Sequence, residues 1–317
     1  MNTPTLKELY SRYVKYREVS GLSLLPVDEL KTFYNFCRRN YPSDPYLTQD
    51  KIDRFGEKRP TERNSTHNGR VRCLNHFIRY LGTRGIAHFQ EIPLLREDRI
   101  IKDPIMFSRK ELSNFFKATT ELEVSRSFGE VHDRQLVNQI EVPVIFRLLY
   151  STGLRTFEAR RLMVKDVDLN RGTITIHQTK GCKERMVIMH ASLIDVLKEY
   201  EIKISKVIPH RKYYFPMADG DSPHSVQWLC TQFRKAWNKY NDSKVIPYSL
   251  RHNYAVENIN SMPRTGYEIT NELVALSQSM GHSTLASTLY YYHLTPRFAE
   301  LYNDIMGETI NQILPEV

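Results

Sequence analysis

The sequence predicts a mainly α-helical protein with one small antiparallel β-sheet, divided into two domains. Three observations lead there. At 317 residues the chain is longer than one small core organises, so two domains are the expectation. Apolar residues recur at the spacing of one helical face over most of its length. Only two short runs, Thr173–His177 and Arg185–Met189, have the β-branched and bulky composition of strands.

Taken in order, Thr5-Leu6-Lys7-Glu8 is a capping box. It opens a helix with Leu6, Leu9, Tyr10, Tyr13 and Tyr16 on one face. Leu30, Phe33, Tyr34 and Cys37 mark a second helix, and Ile52 with Phe55 a short third. A fourth carries Val71, Leu74, Phe77, Ile78 and Leu81 and stops at Gly82. Four amphipathic helices make a small bundle over residues 1–90. Residues 91–107 hold two prolines and no sustained periodicity, which predicts a linker. Ser108-Arg109-Lys110-Glu111 is a second capping box and starts a domain over 108–317. Residues 121–141 are polar, a loop or an exposed helix. Val142–Tyr150 is apolar and predicts a buried helix ended at Gly153. The two strands follow, with Thr179-Lys180-Gly181 in the turn between them. Further helices are expected over 193–204, 226–240, 250–259, 269–280 and 297–314.

Lys and Arg outnumber Asp and Glu by 45 to 36, for a net charge of +9. A basic surplus favours a polyanionic partner, because neutralising phosphates releases counterions. No amphipathic helix concentrates lysines as membrane-surface binding needs. The first 18 residues lack a signal-type apolar region, and no apolar run is long enough to cross a bilayer. The four cysteines, Cys37, Cys73, Cys182 and Cys230, are scattered without a CxxC pair. They fit reduced thiols in a cytoplasmic protein. His67, His76, His88, His177 and His190 show no metal-ligand spacing. Nothing matches a phosphate-binding loop or a paired-carboxylate nuclease, so no metal, ATP or other cofactor is expected.

The chemistry concentrates in three segments. Leu149-Tyr150-Ser151-Thr152-Gly153-Leu154-Arg155-Thr156-Phe157-Glu158 places an arginine after a helix-ending glycine, where it can meet an anion or simply pair with Glu158. Ile246-Pro247-Tyr248-Ser249-Leu250-Arg251-His252 holds a second arginine. The third segment runs Gly281-His282-Ser283 to Tyr290-Tyr291-Tyr292-His293. Two arginines, a histidine and a tyrosine in this order are the parts needed to break a DNA phosphodiester: guanidinium forks bind the phosphate oxygens and a phenol attacks phosphorus.

This ordered set resembles the tyrosine recombinase (phage-integrase) family, loosely over residues 1–90 and closely over 140–295. The resemblance implies an N-terminal helical (SAM-like) core-binding domain and a C-terminal mixed α/β catalytic domain that clamp duplex DNA between them. It implies cleavage and rejoining through a 3′-phosphotyrosyl intermediate, with two duplexes held by a homotetramer that exchanges the C-terminal helix. A simple recombinase or mobile-element integrase is the activity it suggests. Arg155, Arg251 and His282 then bind the scissile phosphate, and Glu158 orients an arginine. Lys180 protonates the leaving 5′-oxygen, with Lys183 the alternative. Family spacing from His282 lands on Tyr291 as nucleophile, with Tyr290 expected buried, Tyr292 exposed, and a one-residue shift left open. His293 matches a supporting histidine. Arg63, Arg70, Arg72 and Arg79, on the fourth helix and its approach, become DNA contacts, although a solvated basic face accounts for them as well.

The chain departs from the family at Tyr248, where a histidine usually precedes the second arginine by three positions. A phenol ionises near pH 10, roughly, so Tyr248 can donate a hydrogen bond but is a poor base. His252 is not expected to replace that histidine, because adjacent helical residues point about 100° apart. Two rival classes remain: a DNA-binding member that has lost efficient cleavage, and a type IB topoisomerase-like enzyme that nicks and reseals one duplex.

Overall fold

A computed structural model describes residues 3–22, 25–97, 105–123, 129–177, 184–262, 266–282 and 284–292. The chain divides into two compact units, Met1–Lys102 and Asp103–Val317.

In the first unit, α1 (Leu6–Val19), α2 (Leu25–Asn40), α3 (Gln49–Gly56) and α4 (Asn64–Thr83) enclose one core. The Thr5 capping box forms: its hydroxyl accepts from the Glu8 N–H, and the Glu8 carboxylate accepts from the Thr5 N–H. Leu9, Tyr13, Leu30, Phe33, Phe55, Phe77 and Leu81 fill the centre. Residues 91–97 form neither helix nor strand, yet they run fixed along α4. The Asn75 side chain accepts from the Ile92 N–H at 3.0 Å and donates to its carbonyl at 2.8 Å. Asn68 treats Leu95 the same way, at 2.9 and 2.7 Å. An amide side chain carries one donor group and one acceptor in the arrangement of a peptide. Two asparagines can therefore be buried on α4 without leaving polar atoms unpaired. The segment itself shows only missing periodicity, since its order is supplied from α4.

The second unit comprises α5 (Arg109–Thr120), α6 (Glu130–Thr152), α7 (Thr156–Arg160), α8 (Ala191–Val207), α9 (Val226–Trp237), α10 (Ser249–Ser261), α11 (Gly266–Met280) and α12 (Ala286–Tyr292). Three antiparallel strands, β1 (Val167–Asp168), β2 (Thr173–Ile176) and β3 (Arg185–Ile188), lie in chain order. Ile174 pairs with Val187 and Ile176 with Arg185. β1 is too short to announce itself in the sequence. The segment expected as a loop or exposed helix opens a single 23-residue helix, α6. From Val142 to Leu149 that helix is apolar and buried except at half-buried Pro143 and Arg147, with α5, α8 and α10 packed around it.

α10 bridges two cores. Leu250 joins the main cluster with α6, whereas Ala255, Val256 and Ile259 join a second one with Leu273, Leu276 and Met280 of α11 and Tyr291 of α12. The β2–β3 connection, with Lys180 and Lys183, lies outside the described residues, as do His293 and the helix expected over 297–314. Among the described residues, no helix is long and apolar enough to cross a membrane.

Candidate active site

The last carbonyls of a helix have no intrahelical partner and carry the negative end of its dipole. The C-terminal ends of α6 and α11 meet, and three arginines are fastened to them. Arg155 donates through Nη2 to the Gly281 carbonyl at 2.6 Å. Arg251 donates to the carbonyls of Gly153 and Met280, the latter at 2.7 Å. Arg185 donates through Nε to the Ser279 carbonyl at 2.8 Å.

Both helix ends need their glycines. Gly153 and Gly281 adopt left-handed backbone, with φ of 61° and 65°. A Cβ on Gly281 would lie 2.8 Å from Nη1 of Arg185, and one on Gly153 would run into the ring of Tyr254.

Glu158, on the first turn of α7, ties two of the arginines together. Its oxygens accept from the Arg155 N–H at 2.8 Å and Nη1 at 2.9 Å, and from Nη1 and Nη2 of Arg185 at 2.9 and 2.7 Å. Burial acts to raise its carboxyl, but the hydrogen bonds and charge of Arg185, joined by Arg155, hold it below the usual range. Arg251 differs. It is 2 % exposed, its Nε has no partner, and no carboxylate pairs with it among the described residues. Three guanidinium groups thus face one carboxylate, and the surplus positive charge is a standing site for an anion.

His282 follows Gly281 and sets Nδ1 2.7 Å from the buried Thr288 hydroxyl. Burial, then the charges of Arg251, Arg155 and Arg185, push its pKa down to about 4, so the ring is neutral at physiological pH. That ring lies nearly parallel to Tyr291, centroids 6.0 Å apart at 11°. Tyr291 is 4 % exposed. Burial, then neighbouring Tyr248, raise its hydroxyl to about 12 against the opposing charge of Arg251. The Tyr291 hydroxyl lies 3.0 Å from Nδ1 of His252.

The sequence model of the Phage integrase family matches residues 117–297, the stretch that contains all of these side chains. The chain belongs to the phage integrase family. A tyrosine recombinase XerA of Thermococcus onnurineus is 26% identical over 303 residues, 92% of each chain. Solved structures share the fold. The Tn1549 transposon integrase in complex with transposon right end DNA covers 96% of this chain and 100% of its own, with TM-score 0.60 and 16% identity. A lambda integrase tetramer bound to a Holliday junction covers 92% and 78%, with TM-score 0.59 and 15% identity.

Within this integrase-family chain, Arg155, Glu158, Arg251, His282, Tyr248 and Tyr291 come together. Tyr248 precedes α10, is 37 % exposed, and stands edge-on to His252 at 4.9 Å. Tyr290, expected buried, is half-buried, and Tyr291 is the enclosed one because it faces the second core. The side chain of Tyr292 lies outside the described set. His252 is not expected to stand in for the family's histidine beside Arg251. It does point away from Arg251, and that direction leads to α12 and its tyrosine.

In the first unit, Arg70 does not fit the role of a DNA contact. Its guanidinium is enclosed by Glu62, at 2.8 Å, and by the carbonyls of Phe55 and Glu57. Arg72 and Arg79 sit half-exposed against Glu97 and Glu91, both at 2.7 Å, and Arg63 precedes α4. Exposed pairs of this kind contribute about 0–1 kcal/mol, little enough for a phosphate to displace the carboxylate.

Arg185 and Thr288 are not singled out in the sequence, and His252 is considered there only as a replacement for the usual histidine. A faint signal existed for Arg185. Strand alternation puts it on the same face as buried Val187, and a buried arginine demands an acceptor. Met186 and Ile188 on the other face are equally apolar, so the sequence does not say which face is inward.

Proposed function

We propose that this integrase-family member cuts and rejoins duplex DNA through a 3′-phosphotyrosyl intermediate, in the service of a mobile element. The observation that carries the reading is the excess of guanidinium charge set beside a buried tyrosine hydroxyl. Tyr291 attacks the scissile phosphate, and the 5′-hydroxyl departs. Arg155, Arg251, His282 and Tyr248 hold the non-bridging oxygens as negative charge develops, a preorganised form of electrostatic stabilisation. Glu158 keeps Arg155 in place, and Lys180 protonates the leaving oxygen, with His293 supporting the nucleophile. The guanidinium cluster supplies the charge neutralisation that metal ions provide in other phosphoryl-transfer sites. Ester energy retained in the phosphotyrosine makes rejoining independent of ATP.

Residues 1–90 act as the core-binding domain, with Arg63, Arg72 and Arg79 on phosphates, and residues 108–317 as the catalytic domain. The transposon integrase and the junction-bound tetramer among the structural neighbours favour a mobile-element role and a homotetramer on paired sites. The residues after Tyr292 join neighbouring protomers in that assembly.

The test incubates the protein, in EDTA, with a supercoiled plasmid spanning its own native locus. The reaction is stopped with detergent, digested with nuclease and searched by mass spectrometry. A nucleotide-bearing peptide at Tyr291, absent in Tyr291→Phe, is the expected result. Modification of Tyr290 or Tyr292 instead corrects the nucleophile. No adduct despite binding selects the DNA-binding reading that Tyr248 motivates.

A further inference from the structure

We infer that His252 takes the proton of Tyr291 as its oxygen attacks phosphorus, and returns it when the strands are rejoined. The inference rests on Tyr291 being the nucleophile. His252 Nδ1 lies 3.0 Å from the Tyr291 hydroxyl, the one hydrogen-bond partner of that hydroxyl among the described residues.

The geometry follows from α10. Arg251 and His252 are neighbours in sequence and diverge by about 100° around the helix. Arg251 turns to the ends of α6 and α11, and His252 turns to α12, which packs against α10. Tyr248 lies one turn earlier, where i and i+4 side chains meet, and its ring sits against the imidazole at 77°. The phenol at the family's histidine position thus buttresses a histidine one turn along the same helix.

The chemistry needs such a group. With its pKa near 12, only about one Tyr291 in 30,000 is ionised at pH 7.5. Burial, followed by the charge on Arg251, lowers the proton affinity of His252, so the imidazole is neutral and free to accept at that pH. The surrounding titratable and charged groups are Tyr248 just before α10, Arg251 on α10, Tyr290 and Tyr291 on α12, His282 after α11, and Arg155 after α6. α11 presents apolar Leu273, Leu276 and Met280 to the Tyr291 cluster.

In the forward step the O–H bond of Tyr291 breaks to Nδ1, the O–P bond forms, and the P–O5′ bond breaks. The 5′-oxygen collects its proton from the general acid assigned to Lys180. The imidazolium left behind sits beside the phosphotyrosine until the reverse step restores the phenol.

The test measures single-turnover adduct formation on the same locus plasmid, from pH 5.5 to 9, for wild type, His252→Asn and His252→Ala. Asparagine keeps an acceptor near the Nδ1 position but is not basic. We expect both variants to form the Tyr291 adduct about 100- to 10,000-fold more slowly, with unchanged plasmid binding in gel shift and unchanged melting. The acid limb of the wild-type rate profile should disappear in His252→Asn. A second substrate carries a bridging 5′-sulfur at the bond cut, a leaving group that needs no proton. It should not rescue His252→Asn. Adduct formation within threefold of wild type, or rescue by the sulfur, overturns the inference and leaves the functional reading standing. An adduct on Tyr290 or Tyr292 in place of Tyr291 overturns the inference alone, and absence of any nucleotide–tyrosine adduct in wild type overturns both.

Discussion

Replacing Glu158 with glutamine tests whether the arginine cluster is held by one carboxylate. The carboxylate accepts four hydrogen bonds, two per oxygen, from Arg155 and Arg185. Glutamine keeps one oxygen, so two donors then face an amide NH2 inside a site where the side chain is 1 % exposed. Hydrogen bonds to charged groups contribute about 1.5–3 kcal/mol each. Losing two costs about 3–6 kcal/mol, which overlaps the roughly 3–5 kcal/mol found when a buried ion pair is broken. For a unit of this size that lowers the melting temperature by about 10 °C. Both tryptophans, Trp228 and Trp237, lie in the second unit, so tryptophan fluorescence reads its unfolding alone. The pH dependence has a definite sign. The carboxyl of Glu158 is held below its usual range, so its contribution is present above the unfolded value near pH 4.3, roughly, and is lost as pH falls through the lower folded one. Wild type and Glu158→Gln should therefore differ fully at pH 7 and converge only in acid. A loss below about 1 kcal/mol at pH 7 would refute the reasoning.

Gly281→Ala should destabilise the second unit by about 1–2 kcal/mol through left-handed backbone alone, and should slow adduct formation by displacing Arg185; urea unfolding and the nucleotide–tyrosine assay measure the two effects. His282 ionises at about 4 in the folded chain, below its unfolded value near 6.5, roughly. The stability it contributes at neutral pH is therefore lost as pH falls from the unfolded value towards the folded one. His282→Asn should show a shallower decline in urea midpoint over that range. Asn75→Ala leaves the N–H and carbonyl of Ile92 without partners, at a cost of about 1–3 kcal/mol; limited proteolysis should then cut within residues 90–97 faster than in wild type.

What was legible in the sequence was local. Both capping boxes, at Thr5 and Ser108, form because each is closed within four residues. The mainly helical fold with a small antiparallel sheet followed from periodicity for the same reason. Arg155, Arg251, His282 and Tyr291 stand out only through the resemblance of their ordered motifs to a family, since each alone has an ordinary structural explanation. Arg185 is not singled out and His252 is set aside because their contacts lie with partners 27 and 39 residues away. The start of α6 stays open between a loop and an exposed helix because its charged residues mask inward-facing Val137 and Glu141. The strap along α4 has no pattern of its own to detect.

The three site arginines are gripped largely by main-chain oxygens, from Gly153, Ser279, Met280 and Gly281. A carbonyl is common to all twenty amino acids, so the positions that supply these contacts are nearly blind to side-chain identity. Only the glycines are fixed, one by a neighbouring ring and one by a guanidinium. Substitution can accumulate around such a pocket without loosening it. Its vulnerability lies instead in chain length, because a one-residue insertion or deletion before the end of α11 would misplace the Ser279, Met280 and Gly281 oxygens together.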